Sequence, residues 1–520
     1  MLILITVLLL ILPALALVIL YILRPNFRYF WLVALGGALP AWISAWAWLA
    51  MLPMRFQLPP WQPASLFLDA PAFLVDGVSW PFVVSLVSLA LSILLTAVVR
   101  QDLTDPMPWA GTLLLTGVGV LAVTANNPLT LVLVWAALDL AELITQLRSV
   151  ETPSASERVV IAFSTRAAGI GLLIWANVLS VSEGGRLDFP STSPAVGLYL
   201  LVAAGLRLGV LPLHLPYAAE SKLRRGMGTA MRLTSAASSL VLLARIPPGA
   251  IASPLTPILF VFTALAAVYG AWTWLRAPDE LAGRPFWVIG LAALAVASAL
   301  GGSPLGAAGW GLALVLTGGA LFQASVQMTW VNRALLAGGW IISSLPFSLT
   351  ASAWQGESPV FAPAWPFLLA AQAMLLAGYV RHALRPGIRD SADSMPPFSR
   401  TFYPAGIGLL LGSAVALGFI GWDGALRVGN VVASLSAALL AAGWVWAAPR
   451  LPFLNPIRAH WIRPAGTSWL DAVYRGLWSL YRALGRLADW VSAALEGEGG
   501  VMWSLVFLAL LISFMSQGTP

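Results

Sequence analysis

The sequence predicts an all-α, polytopic integral membrane protein of about 16 transmembrane helices, and three observations lead to this fold class. Of the 520 residues, 59% are hydrophobic and only 9% are charged, which excludes an ordinary soluble protein. Apolar runs of about 20 residues, the length that crosses the core of a bilayer, recur along the chain. Basic residues fall singly between these runs, so we interpret the net charge of +7 as a topology signal and expect no nucleic-acid partner.

The apolar runs divide the chain into sixteen predicted spans and four segments. The spans lie near residues 1–23, 30–52, 79–99, 108–125, 128–147, 158–181, 194–213, 227–246, 254–275, 286–301, 304–328, 334–353, 365–384, 402–421, 427–448 and 501–516. The first span has no basic residue before it and is too long for the apolar part of a signal peptide, so we expect a retained helix. The segments are helices 1–3 at 1–107, core helices 4–13 at 108–384, helices 14–15 with a loop at 385–464, and a C-terminal segment at 465–520.

Basic residues alternate between the connections, and this alternation predicts the orientation of the chain. The residues assigned to the cytoplasmic side are Arg24, Arg28, Arg100, Arg148, Arg158, Lys222, Arg224, Arg225, Arg276, Arg284, Arg333, the stretch Arg381–Arg400 and the stretch Arg450–Arg463. The exceptions on the other side are Arg55, Arg186, Arg245 and Arg427. We therefore expect a multi-pass protein of the cell inner (plasma) membrane, surrounded by lipid, with both termini outside the cytoplasm.

Three of the predicted spans contain residues that interrupt helices. Pro212 and Pro216 lie at the end of the seventh span, Gly226-Met-Gly228 begins the eighth, and Pro346 lies within the twelfth. Proline removes a helical hydrogen bond, and neighbouring groups must then bind the freed carbonyl. The sequence therefore predicts that helices 7, 8 and 12 are broken in mid-membrane.

The segment between the fifteenth and sixteenth spans has the pattern of an amphipathic helix. Between about 467 and 496, charged residues recur at spacings of three, four and seven and leave an aromatic and aliphatic face. Ser468 and Asp471 resemble a capping box, and Gly497 follows the end of the helix. We expect this lateral helix to lie parallel to the membrane, either as a lipid-facing anchor or as a strut along other helices.

Charged residues inside the apolar spans are the main indication of function. Arg207 lies within the seventh span and Arg232 within the eighth. An arginine at the centre of a span costs about 2.5 to 3.5 kcal/mol on insertion scales, so such residues commonly mark an ion path. The alternative is structural, because nearby carboxylates can neutralise buried arginines without any transport role.

Several short motifs occur in the order and spacing of a known family. They are Phe73-Leu-Val-Asp76-Gly77-Val-Ser79, Trp135, Thr165-Arg166, Leu211-Pro212-Leu213-His214, Leu242-Leu-Ala-Arg245 and the loop Asp279–Arg284. In these motifs the chain resembles the antiporter-like membrane subunits of respiratory complex I, membrane-bound hydrogenases and multisubunit cation/proton antiporters. The sixteen predicted spans and the lateral helix are similar to the large, distal member of that family.

The resemblance implies a proton path, but the chain departs from the family at the titratable positions. Ala136 stands where the family has a glutamate, and Asp139 and Glu142 follow it on one helical face. Arg207 and Met231 stand where the family has a lysine and a histidine. Gln323 replaces a second lysine, and Lys222 is the one lysine in the sequence.

These replacements limit what the path can do. Arginine stays charged in proteins, so Arg207 and Arg232 can hold carboxylates or anions but cannot pass protons. We expect Arg166, which lacks the family's aspartate because Gly169 takes that place, to pair with Asp139 or Glu142. The sequence thus predicts a path interrupted at its centre. The candidate path residues are Asp139, Glu142, Arg166, Arg207, His214, Lys222, Arg232 and Gln323.

The resemblance leaves three functions open. The chain is expected to act with other membrane subunits in a complex I-type assembly, a proton-translocating quinone oxidoreductase, that moves protons or sodium. The alternatives are a scaffold subunit that conducts nothing and a membrane subunit of an inorganic-carbon uptake or cation/proton antiporter complex. The chain has no cysteine and no catalytic motif of its own, so we expect neither a cofactor nor a metal site in it.

Overall fold

The computed structural model describes most of the chain in its first unit, Met1–Ala459, and little of its second unit, His460–Pro520. The described residues are 2–59, 70–99, 105–150, 153–183, 189, 192–216, 225–251, 253–326, 328–354, 361–385, 396–420, 426–447, 479 and 486. The lateral helix and the sixteenth predicted span therefore lie outside the described residues, apart from Ser479 and Arg486, which are both helical.

Within the described ranges the first unit contains fifteen α-helices. They are α1 (Leu2–Leu23), α2 (Phe30–Ala47), α3 (Ser79–Ala97), α4 (Met107–Thr124), α5 (Pro128–Ser149), α6 (Pro153–Ser182), α7 (Pro194–Arg207), α8 (Met227–Arg245), α9 (Thr256–Arg276), α10 (Glu280–Leu300), α11 (Pro304–Gln323), α12 (Thr329–Ile341), α13 (Phe361–Ala383), α14 (Pro397–Ile420) and α15 (Val428–Ala447). Thirteen of these helical segments are long and apolar enough to cross a membrane. The prediction of a polytopic helical membrane protein is confirmed.

Two of the helices end early, as the prediction of broken helices requires. α7 ends at Arg207, well before the predicted end at 213, and turns follow in which Gly209 has a φ of 76°. α12 ends at Ile341, and turns continue to Trp354. In both segments the chain loses helical hydrogen bonds inside a compact helical bundle, so other groups must bind the freed backbone atoms.

The predicted break in the eighth span is wrong across the described residues, because α8 is one continuous helix from Met227 to Arg245. Gly226 lies outside the helix, at its N-cap, and has a positive φ of 63°, a conformation that glycine adopts readily. Gly228 lies in the first turn, whose N–H groups have no helical partner in any case. The two glycines therefore mark where the helix begins and do not interrupt it.

Helix packing separates a central group from a peripheral one. Almost every residue of α3, α8, α10 and α11 is buried, although these helices are polar in places. In contrast, α1, α2 and α15 each expose an apolar face. Exposed apolar faces on spanning helices suit contact with lipid or with other membrane subunits.

A small hairpin joins the motif that contains Asp76 and Ser79 to the motif that ends at Arg245. Its strands, β1 (Met54–Gln57) and β2 (Ala72–Val75), pair antiparallel. After β2, the carboxylate of Asp76 accepts hydrogen bonds from the N–H of Ser79 at 2.8 Å and from its hydroxyl at 2.8 Å, at the start of α3. Arg245, the last residue of α8, donates to the carbonyl oxygens of Leu74 and Ala125. These bonds fix the ends of α3, α4 and α8 to one another.

Candidate functional site: a buried charge cluster

Four charged side chains from three helices meet in the interior and form what we call the charge cluster: Asp139, Glu142, Arg166 and Arg207. Asp139 and Glu142 lie almost one turn apart on the buried face of α5. Asn127 caps the N-terminus of α5, and its side-chain oxygen accepts a hydrogen bond from the N–H of Thr130 at 2.9 Å. Because this cap fixes where α5 starts, it helps fix the depth of both carboxylates.

Arg207 holds Asp139 through both of its carboxylate oxygens. Nη2 donates to Oδ1 at 2.8 Å and Nη1 donates to Oδ2 at 2.5 Å. The Nε of Arg207 donates to the hydroxyl of Ser239 on α8 at 3.3 Å, and its guanidinium lies 4.2 Å from the centre of the Trp135 ring. This bidentate geometry, with an aromatic ring over the guanidinium, requires arginine and not lysine.

Arg166 on α6 lies between the two carboxylates. Its Nη1 is 2.6 Å from Oε2 of Glu142, and its Nε is 3.4 Å from Oδ1 of Asp139. The predicted pairing of Arg166 with these carboxylates is confirmed. The pairing of Asp139 with Arg207 was not predicted. With both carboxylates ionised, the charge cluster has two negative and two positive charges and is neutral.

The two carboxylates differ in how many of their oxygens are bound. Both oxygens of Asp139 accept hydrogen bonds from Arg207, whereas Oε1 of Glu142 is buried without a hydrogen-bond partner. Oε1 of Gln146, one turn further along α5, and Nη2 of Arg166 are also buried without partners. Nε of Arg166, 3.4 Å from Oδ1 of Asp139, likewise has no hydrogen-bond partner, so unpaired polar atoms lie beside both carboxylates.

Gly169 explains how the Arg207 side chain reaches Asp139. A Cβ at this position of α6 would lie 2.7 Å from Cγ of Arg207 and 3.1 Å from the carbonyl oxygen of Ala203. Glycine at 169 therefore makes room for the arginine stem between α6 and α7. A side chain larger than glycine at 169 would therefore meet the Arg207 stem as it is placed here.

We expect Gly169→Ala to destabilise the protein by about 1 to 3 kcal/mol, the usual effect of an added methyl group in a packed interior. The added Cβ must displace either the Arg207 stem or the α7 backbone. Unfolding in a denaturant titration of the purified protein measures the change. Gly171→Ala is the matched control, because no atom lies within 4 Å of a Cβ built there. Equal stability of the two variants would contradict this packing.

Three of the other candidate path residues are described, and their printed hydrogen bonds go to groups outside the charge cluster. Arg232 on α8 donates from Nη1 to the carbonyl of Gly228 in its own helix, at 2.9 Å. The Nδ1 of His214 lies 2.8 Å from the carbonyl oxygen of Pro212. Gln323, the last residue of α11, accepts a hydrogen bond from the hydroxyl of Thr96 at 3.3 Å. Lys222 lies outside the described residues.

A second group of charges, assigned from the sequence to the connecting loops, is partly inside the protein. Arg284 is buried in α10 and donates to the hydroxyl of Thr229 at 2.9 Å. Arg225 forms an ion pair with Glu280 and donates to the carbonyls that end α11. The sequence signal for the early start of α10 is Asp279, whose side chain caps the helix. Arg284 therefore lies within the first turns of α10 and not in a loop.

Comparison with known proteins shows the fold class of the chain. No protein-family profile and no curated protein sequence matches it. Among solved structures, the Mrp complex from Dietzia sp. DQ12-45-1b is similar with a TM-score of 0.70 and 15% identity, over 100% of this chain and 63% of that chain. An archaeal membrane-bound sulfane sulfur reductase is similar with a TM-score of 0.62 and 15% identity, over 98% of this chain and 99% of that chain.

Respiratory complex I from Thermus thermophilus is similar with a TM-score of 0.59 and 18% identity, over 84% of this chain and 99% of that chain. The resemblance to antiporter-like membrane subunits is therefore confirmed at the level of the fold. The chain spans 63% of the length of the Mrp-complex chain, so a longer protein can contain this fold together with further segments.

Proposed function

We propose that the chain is an antiporter-like membrane subunit of a multisubunit, complex I-type assembly and contributes to proton or sodium translocation coupled to redox chemistry in partner subunits. The observation that carries the proposal is the charge cluster, four charged side chains buried among spanning helices. The solved structures of similar fold come from an Mrp complex and from two respiratory complexes. The multisubunit complexes named for these structures support other membrane subunits as neighbours. The alternation of basic residues between the connections supports extracytoplasmic termini in a plasma membrane.

The physical argument for a transport role starts from the cost of buried charge. Replacing a buried ion pair by well-packed apolar residues is often neutral or stabilising. A chain that needed only stability would therefore gain little from keeping Asp139, Glu142, Arg166 and Arg207 inside the membrane. Ionisable groups within spanning segments commonly lie on ion or proton pathways. The charge cluster is accordingly the proposed loading end of a path.

The proposed path is interrupted at its centre, so that proton transfer through it is slow. Arg207 is fixed on Asp139 by two hydrogen bonds, and arginine, unlike lysine, does not serve as a proton carrier in proteins. Gln323 is fully buried, and its neutral amide can orient water but cannot store a charge. Between the charge cluster and the end of α11 the path therefore lacks the titratable lysines of the family.

We expect slow proton uptake by liposomes that contain the intact assembly, purified through a tag on this chain. An internal pH-sensitive dye and a potassium diffusion potential give the rate. Gln323→Lys should raise the rate several-fold, because a buried lysine can be tuned to bind and release protons. Gln57→Lys, on an exposed strand position, is the matched control and should leave the rate unchanged.

Two outcomes would contradict this proposal. Rapid uptake by the parent assembly, unaffected by Gln323→Lys, would mean that the path is continuous. Uptake equal to that of empty liposomes in both the parent and Gln323→Lys would favour the scaffold alternative, in which the fold is kept without conduction. Measuring sodium uptake by the same liposomes under a sodium gradient tests whether the assembly carries sodium.

A further inference from the structure

We propose that the ends of α9, α13 and α15 form a binding site for an anionic phospholipid, whose phosphate group is held by Arg276 and Arg381. This site lies on the surface of the helical bundle and does not depend on a transport role. Arg276 is the last residue of α9, and Arg381 lies in the last turn of α13. The sequence assigns both helix ends to the cytoplasmic side, where anionic lipids attract basic residues.

The two arginines, both half-buried, belong to one surface that three helices share. Arg381 donates from Nη1 to the carbonyl oxygen of Leu275, the residue before Arg276. The Arg276 guanidinium lies 5.3 Å from the centre of the Trp272 ring, one turn earlier on α9. Trp272 contacts Trp444 in the last turn of α15, with ring centres 6.4 Å apart. Tryptophan is enriched where a membrane protein meets lipid headgroups, so this surface has the composition of a headgroup site.

The carboxylates of the neighbouring connection between α9 and α10 are already bound by other groups. Oε1 of Glu280 pairs with Arg225, and its Oε2 accepts a hydrogen bond from Nη1 of Arg385 at 3.1 Å. Oδ1 of Asp279 accepts the two N–H bonds that cap α10. Across the described residues, neither arginine of the proposed site forms an ion pair, and Nε of Arg276 is buried without a hydrogen-bond partner. The site therefore has positive charge that an anion can neutralise.

An apolar stripe on α9 leads away from Arg276 and suits an acyl chain. Its members recur at spacings of three and four, and they are Ile258, Phe262, Leu265, Tyr269 and Trp272. The first three are more than half exposed. At about 1.5 Å per residue, Leu265 lies roughly 16 Å from Arg276 along α9, close to the half-thickness of a hydrocarbon core of about 30 Å. A free phosphate ion would leave this stripe uncovered, whereas a phospholipid covers it and binds the arginines as well.

The test is native mass spectrometry of the purified full chain with added phosphatidylglycerol or phosphatidylcholine of identical acyl chains. We expect the parent to retain phosphatidylglycerol in preference to phosphatidylcholine. Arg276→Gln should lower this preference about five-fold, the effect of one basic residue near an anionic lipid surface. The matched control is Arg333→Gln, which removes the same charge from an exposed position of α12 that the sequence assigns to the same side. This control should keep the preference of the parent.

Arg381→Gln is the second variant, and it should also lower the preference if Arg276→Gln does not fold. Inorganic phosphate, added at the concentration of the lipid, should not displace phosphatidylglycerol. Three results would overturn the inference: equal retention of the two lipids by the parent, an equal loss in Arg333→Gln and Arg276→Gln, or displacement of the lipid by phosphate, which would make the ligand a free anion. Lipid retention is measured without transport, so this site and the proposed function can fail separately.

Discussion

Asp139→Asn is expected to destabilise the protein by about 3 to 5 kcal/mol, the typical effect of removing one partner of a buried ion pair. The loss arises because the Arg207 side chain, which has no exposed surface, then keeps its charge without the carboxylate that binds two of its nitrogens. Asparagine preserves the shape of the side chain, so packing contributes little. Denaturant titration of the purified chain, followed by circular dichroism, measures the change.

Two further variants separate the charge effect from other causes. Glu157→Gln removes an exposed carboxylate and should leave stability within about 0.5 kcal/mol of the parent, as for most surface substitutions. The double variant Asp139→Asn/Arg207→Gln should recover part of the loss, since no uncompensated charge remains at that position. A single variant as stable as the parent would show that Arg207 reaches solvent or another anion.

Gln372→Leu is expected to cause the second large loss of stability, because this side chain replaces helical bonds at the end of α12. Its Nε2 donates to the carbonyl of Ile342 at 3.1 Å and to the hydroxyl of Ser344 at 2.9 Å. Its Oε1 accepts from the indole N–H of Trp354 at 3.1 Å. Leucine would leave these partners buried without hydrogen bonds, at about 1 to 3 kcal/mol each.

Denaturant titration again measures the effect, and hydrogen exchange localises it. Amide protection should fall in the turns between Ile341 and Trp354 and at the end of α12 before it falls elsewhere. Gln57→Leu makes the same replacement at an exposed site and should change neither quantity appreciably. Unchanged protection in Gln372→Leu would mean that water takes over all three bonds.

The sequence was sufficient for the fold class and for one contact of the site. Long apolar runs indicated the positions and order of most of the described helices, because crossing a bilayer sets a minimum length. The pairing of Arg166 with Glu142 followed from charge balance, since a buried arginine needs a nearby anion and the spacing of Asp139 and Glu142 offered one. In the first case the length of an apolar run determines the outcome, and in the second the free-energy cost of an unpaired buried charge does.

Other features depend on how helices pack, which the sequence does not display. Which arginine binds both oxygens of Asp139, Arg207 or Arg166, depends on the space beside Gly169. A glycine within a helix has no distinctive local sequence pattern, so the sequence does not show this space. The break wrongly predicted for α8 has a related cause, because Gly226 and Gly228 have the same composition whether a helix starts or is interrupted there. Arg284 was assigned to a loop because hydropathy alone begins α10 too late.

The distribution of the charge cluster over α5, α6 and α7 has a consequence for the synthesis of the protein in the cell. α5 leaves the ribosome first, with two carboxylates and without the arginines that neutralise them. An aspartate at the centre of a span costs about 2.5 to 3.5 kcal/mol on insertion scales, so the carboxylates make the partitioning of α5 alone into lipid less favourable. Arg166 and Arg207 arrive only with the following two helices. We therefore expect α5, α6 and α7 to be more favourable in the bilayer together than α5 is alone.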